Sequence, residues 1–434
     1  MKQQQLDGLR YWSIRSWSVV LRVLWLWVGA AIATVTVTAM LVSTPVVAAQ
    51  SGDLTAHQTH AGSSGHAMRA RPQLAISAAF DPQGRLWVVG VNTQGQLTLR
   101  QAPATDPHAL SAPRVIANGD DVIAAEGESR PKIAFGPNQW VVISYTRPLA
   151  KPYTGEIRML HSSDGGQQFS APLTVHQDRQ VITHRFESIA FDRAGTLHTL
   201  WIDKRDAEQL PTQHGVSKGY VGAAVYRNTS VDGGRTFSTD RKVADHSCEC
   251  CRIALAEDPQ GEMVAVWRQI FAPQERDHGF VRLTPHSAPV VRATEDHWAL
   301  DVCPHHGPAL ALQAAGGYHL VWFAERAGVG RVRYGRLTAE GRPSSEPIAI
   351  PDSGAEHADI QSAGDSVVIS WRSFDGQKTL WQVWESNDGG RQFTARTLGK
   401  ATGDNDYPLL LKRGATIFGV WQTNTGIRVE QITQ

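Results

Sequence analysis

From residue 71 onward the apolar positions fall in short runs separated by glycine-rich polar turns, with almost no long Leu/Ala/Glu/Lys stretch. This pattern predicts many short strands, and it excludes helical bundles and Rossmann-type folds. One unit recurs: an apolar strand, a Gly or Asp-Gly turn, then a second strand that usually ends in Trp. The first strands are predicted at 74–80, 132–135, 186–191, 252–256, 308–312, 358–362 and 407–411, which makes seven units. In the last five, Trp201, Trp267, Trp322, Trp371 and Trp421 follow the turn by a few residues, whereas the first two units carry Trp87 and Trp140 earlier. Repetition at this period predicts an all-β propeller or a solenoid.

Three units also share an octet. It reads Ser-Ser-Asp-Gly-Gly-Gln-Gln-Phe at 162–169, Ser-Val-Asp-Gly-Gly-Arg-Thr-Phe at 230–237 and Ser-Asn-Asp-Gly-Gly-Arg-Gln-Phe at 386–393. In such a hairpin the Asp accepts bonds from the turn's own N–H groups, Gly supplies positive φ, and Phe is buried beneath the turn. These Asp residues are therefore expected to be structural. The octet is the Asp-box (BNR) repeat, and the chain over roughly 71–434 resembles the sialidase superfamily of β-propellers. The resemblance implies a ring of four-stranded sheets, with ligands bound where the innermost strands open onto one face. Sialidases of this kind have six blades. With seven units counted here, six or seven blades are expected, an incomplete seventh being closed by an N-terminal strand.

If each first strand is innermost, the residues at or just before its start gather round the axis. They are Arg71, Arg130, Arg185 with Glu187, the run His-Ser-Cys-Glu-Cys-Cys-Arg at 246–252, the run Cys-Pro-His-His-Gly at 303–307, His357 with Asp359, and Asp406 with Tyr407. Polar or metal-ligating residues at one level of consecutive units argue for a binding funnel. All 4 cysteines lie in two of these runs, on neighbouring units. Cys248, Cys250, Cys251, Cys303, His305 and His306 form a soft donor set suited to copper(I), or to zinc in a tetrahedral arrangement. His246, Asp296 and His297 are candidates for further ligands or their supports. The competing reading is two disulfides, and one disulfide beside a Cys/His metal site is a third. Adjacent Cys250 and Cys251 are expected to point to opposite faces of a strand, so that both would hardly serve one site. No Cys-x-x-Cys-His sequence supports covalent haem.

The sialidase resemblance implies another use of the same funnel: three arginines gripping a sugar carboxylate, a Tyr nucleophile activated by Glu, and an Asp acid/base. Those roles fall to Arg130, Arg185 and Arg252, to Tyr407 with Glu187, and to Asp120 or Asp121. The family's Arg-Ile-Pro motif is absent, Arg71-Pro72 and Arg130-Pro131 lacking the middle residue.

Composition narrows the partners. The 434 residues hold 42 Lys plus Arg against 41 Asp plus Glu. Removing Lys2, Arg10, Arg15, Arg22 and Asp7 leaves 38 basic and 40 acidic residues, no footprint for nucleic acid. Those five sit in a segment, 1–49, that reads as a signal peptide: a basic start, an apolar run at 23–42, then small residues ending Val47-Ala48-Ala49. An uncleaved N-terminal anchor, the only expected membrane contact, is the alternative. Residues 50–70 read as a flexible linker containing His57, His60, His66 and Met68, and 71–434 as a single propeller domain. The expected protein is exported, periplasmic or extracellular, and binds a metal, copper first, at a Cys/His-rich centre. An exo-α-sialidase-like glycoside hydrolase acting on sialic-acid or related glycans is the alternative. A non-catalytic, disulfide-bonded module binding a small glycan or anionic ligand is the second alternative.

Overall fold

The computed structural model describes residues 73–208, 212–213, 216–217, 222–284, 288–300 and 304–433. The expected leader, the linker with its histidines and Met68, Arg71 and Cys303 lie outside the described residues. Seven antiparallel sheets follow one another along the chain, six of four strands and a last one of three. Their first strands are Ser77–Phe80, Lys132–Phe135, His184–Phe191, Ala254–Glu257, Ala309–Leu312, Glu356–Ala363 and Leu409–Arg413. Each packs against the first strand of the next sheet, and the seventh packs against the first, so these strands are innermost and the sheets are blades of a closed ring. The fold is a seven-bladed β-propeller with almost no helix. Among the described residues, no helix is long and apolar enough to cross a membrane.

Of the two blade counts expected from sequence, seven is the one found. The closing device differs from expectation. Blade seven consists of Leu409–Arg413, Thr416–Thr423 and Gly426–Gln431, and no other described strand joins it.

Burial grades across each blade because a second strand is flanked by strands of its own sheet on both edges, whereas the fourth strand is the sheet's free outer edge. The second strands Leu197–Asp203 and Met263–Arg268 are buried at every position, whereas the fourth strands Arg114–Val115 and Ile348–Ala349 are exposed. The repeated tryptophans are tied by their indole N–H. Trp201 Nε1 donates to Asp203 at 2.7 Å, Trp267 to Gln269 at 2.7 Å and Trp371 to Asp352 at 2.8 Å.

Strands alternate in direction within a blade, so the turn between third and fourth strands lies at the end opposite the starts of the inner strands. The octets occupy that turn in blades two, three and six. In each, Ser Oγ accepts from the second Gly N–H (Gly166, Gly234, Gly390) at 2.9–3.0 Å, and Asp Oδ1 accepts from N–H groups three and four residues on. The octets also brace neighbouring blades, which explains the two tryptophans out of register. A Cβ on Gly166 would lie 2.6 Å from the Trp87 ring, and one on Gly233 2.6 Å from Trp140. Trp87 and Trp140 thus stand at the octet end, beneath the turn of the following blade.

Candidate functional site

At the opposite end, the segments entering the inner strands bring together side chains far apart in sequence. Glu128 is the hub. Buried to 4% exposure, it accepts from Tyr407 OH at 3.1 Å, from Arg252 Nη1 at 3.3 Å and from Gly307 N at 3.1 Å, with His357 Nδ1 3.4 Å away. Burial alone would raise this carboxyl, but Arg252, His357 and the Gly307 N–H outweigh it and hold the group well below the usual range. Arg130 makes a two-pronged pair with Asp406, both contacts at 2.9 Å, and its guanidinium lies 3.8 Å from the centre of the Tyr407 ring. The rings of Phe323, His306, His357 and Tyr407 stack in sequence, with centroids 4.6, 4.5 and 4.9 Å apart.

Of the residues mapped by the sialidase resemblance, Arg130, Arg252 and Tyr407 meet here. Glu187 does not join Tyr407. It accepts from Ser144 and Thr146, each at 3.1 Å, beside Lys132 at 3.9 Å. Arg185 reaches Ser129 Oγ at 3.2 Å and lies over Phe186. Asp121 is tied to Arg147, Arg158 and Tyr145, while Asp120 is exposed. The carboxylate on Tyr407 is Glu128, whose only sequence signal is its place two residues before Arg130 in the same polar approach. Tyr407 is 4% exposed, and burial pushes its hydroxyl far above the ordinary phenol value, with Arg130 opposing.

Beside this network lie Cys248, Cys250 and Cys251. They sit in the non-strand connection between Arg241–Ser247, the outer strand of blade three, and Ala254–Glu257. Because the backbone bends there, alternation of side chains does not apply. The expectation that Cys250 and Cys251 face apart is corrected: their Sγ atoms are 3.9 Å apart, as are those of Cys248 and Cys250, and all three lie within 4.8 Å of one another. No disulfide joins any two of them. Pairing four cysteines into two disulfides would bond two of these three whatever the connectivity, so the fully disulfide-bonded arrangement is also corrected.

All three are nearly inaccessible, at 1%, 5% and 1% exposure, and packed among Phe186, Ile202, Ala223, Ile253 and Trp267. Arg276 Nη1 donates to Cys248 Sγ at 3.4 Å. The sulfur group includes neither His305, which is exposed, nor His306, which belongs to the ring stack. Asp296 is committed to Trp322 Nε1 at 2.6 Å and Arg326 Nε at 2.5 Å. His297 belongs to a separate group with Glu275 and Asp277, where Arg292 already stands 2.7 Å from Glu275 and 3.6 Å from Asp277. His246, His305 and His357 hold left-handed backbone, at φ 62°, 53° and 49°. Such strain concentrates at functional sites.

The blades and the closed ring define a seven-bladed β-propeller. Among solved structures, the chain is similar to a polysaccharide lyase, Ulvanlyase, bound to a GlcA–Rha3S oligosaccharide. That similarity has TM-score 0.53 and 12% identity and covers 82% of this chain and 91% of that one. It is also similar to the Hadza microbial sialidase Hz136, with TM-score 0.46 and 13% identity over 78% and 74% of the two chains. A Penicillium chrysogenum α-L-arabinanase complexed with arabinobiose follows at TM-score 0.44 and 13% identity, over 69% and 88%. No family model and no curated protein matches the sequence.

Proposed function

We propose that this protein is an exported propeller that binds a soft metal ion through Cys248, Cys250 and Cys251, with copper(I) ahead of zinc. The observation that carries the reading is the convergence of three buried sulfurs within 4.8 Å of one another, in a connection rather than a strand. Thiolate sulfur is the protein donor preferred by copper(I), and an apolar surround excludes competing water. Cys303, the fourth cysteine of the sequence, lies outside the described residues and is the remaining candidate for a further sulfur ligand. The full chain, exported natively and purified without chelator, is expected to carry close to one copper or zinc per protein by elemental analysis, lost in Cys250→Ser. No metal in either, even after reduction and reloading, would remove the proposal.

A second reading rests on Tyr407 OH lying 3.1 Å from Glu128 between two arginines, the pairing a sialidase-type nucleophile requires. Its weakness is access, for Tyr407 and Arg130 are 4% and 5% exposed and Arg130 is already held by Asp406. Release of dye from a fluorogenic sialoside, abolished in Tyr407→Phe, would favour this reading over the first.

A further inference from the structure

Two arginines beside the sulfur group raise a problem of charge. Arg268 and Arg276 are buried, at 0% and 7% exposure. Arg268 donates to the carbonyls of Arg276, His306 and Phe323, and Arg276 to the carbonyl of Leu300 and to Cys248 Sγ. Among the described residues, no carboxylate lies within ion-pair distance of either. The neighbouring cations differ. Arg252 pairs with Glu128 at 3.3 Å and Lys204 with Glu249 at 2.9 Å. A buried guanidinium that faces only neutral carbonyls keeps its desolvation cost, which an opposite charge nearby offsets. The group in contact with Arg276 is the Cys248 sulfur, and the Cys248 backbone N–H donates to the Arg268 carbonyl at 2.9 Å.

We infer that Arg268 and Arg276 are counter-charges built into the sulfur site, and that they set it for a monovalent thiophilic cation, copper(I), over divalent ions. The inference rests on the proposed metal reading and deepens it. Three thiolates and two guanidinium groups leave one negative charge. A singly charged ion brings the buried cluster to neutrality, whereas a divalent ion leaves a net positive charge among apolar side chains. As the ion binds, any proton still on the three sulfurs is released to solvent, and no oxidation is involved. Both are positioning residues in this scheme: Arg276 touches a sulfur and not the metal, and Arg268 is buried beside it, donating to the Arg276 carbonyl.

The test is competition titration of the reduced full chain with copper(I), against a chromogenic copper(I) chelator, and with zinc(II), for the wild type, Arg276→Gln and Arg276→Lys. Losing one buried counter-charge is expected to lower the preference for copper(I) over zinc(II) by about 100-fold in Arg276→Gln. Arg276→Lys, which keeps the charge, is expected to retain most of the preference. An unchanged preference in Arg276→Gln overturns the inference while leaving the metal site standing. Failure of the wild type to bind either ion overturns the metal reading itself. Should Arg276→Gln not fold, silver(I) against cadmium(II) on the wild type decides, since both are soft and they differ in charge. Silver retained through dialysis with cadmium lost supports the inference, and equal retention overturns it.

Discussion

The two ends of the propeller are held by opposite means. At the octet end the bonds are local and repeated, Ser to Gly four residues on and Asp to the N–H groups after it, three times over. At the mouth they are singular and long-range: Arg130 meets Asp406 across 276 positions, Tyr407 meets Glu128 across 279, and Gly307 meets Glu128 across 179. The octet end is a set of self-contained turns, each able to form before its neighbours. The mouth exists only when the ring is complete, so its chemistry and its stability are one property.

The largest effect is therefore expected at the mouth. Asp406→Asn leaves Arg130 buried without the charge of its ion-pair partner, and also weakens the bond from Ile76 N to the same side chain at 3.1 Å. Breaking a buried pair in this way costs about 3–5 kcal/mol, measured as a fall in the urea midpoint at unchanged m. A loss under about 1 kcal/mol would show that the mouth is not what holds the ring.

An intermediate effect is expected from pH at the octet end. His319 bonds Tyr334 OH at 2.8 Å close to Gly390, and burial with Arg336 nearby lowers it to about 4. Between about 6.5, the unfolded value, and about 4, the unfolded chain binds a proton that the folded chain does not. Stability present above pH 6.5 is lost as pH falls through that window, by about 1.4 kcal/mol per pH unit for this one group. His319→Gln should flatten the profile by that amount when unfolding is followed from pH 7 to pH 4. An unchanged slope would contradict the assignment.

The smallest effect sharpens the contrast. Gly166→Ala places a methyl on a φ of 79° against Trp87 and is expected to cost about 1–3 kcal/mol. Bound metal should be unaffected, because the turn lies at the far end of its blade. A change in metal content would mean that the two ends communicate.

The same contrast explains what could be read from the chain. The octets, the second-strand tryptophans and the starts of the inner strands are written in adjacent letters, and local physics decodes them. Lys132–Phe135 falls where expected to the residue, and the other inner strands within a few positions. Arg130, Arg252 and Tyr407 were legible because they precede those strands. Glu128 was legible only as a neighbour of Arg130, because its role is set by Tyr407, Arg252 and Gly307, which the sequence places elsewhere. The closeness of Cys250 and Cys251 was misread through the strand rule, which fails once Ser247 ends the strand. Arg268 and Arg276 give no signal as charges without partners, because a missing partner is visible only in three dimensions.

The seam between blades seven and one has a kinetic meaning. Phe80 meets Phe418 edge-on at 5.0 Å, Arg413 reaches the carbonyls of Gly84 and Ala104, and Ile76 meets Asp406 across 330 positions. Every other seam joins blades that are consecutive in the chain, so a folding chain can add them one at a time as a growing arc. Joining the ends of that arc comes last. The entropy of closure rises by only about 0.6 kcal/mol for each doubling of the loop, so circling all the blades costs about 1.2 kcal/mol more than closing a quarter of that length. The contacts of this seam have only that difference to outweigh, and among the described residues blades seven and one share no strand.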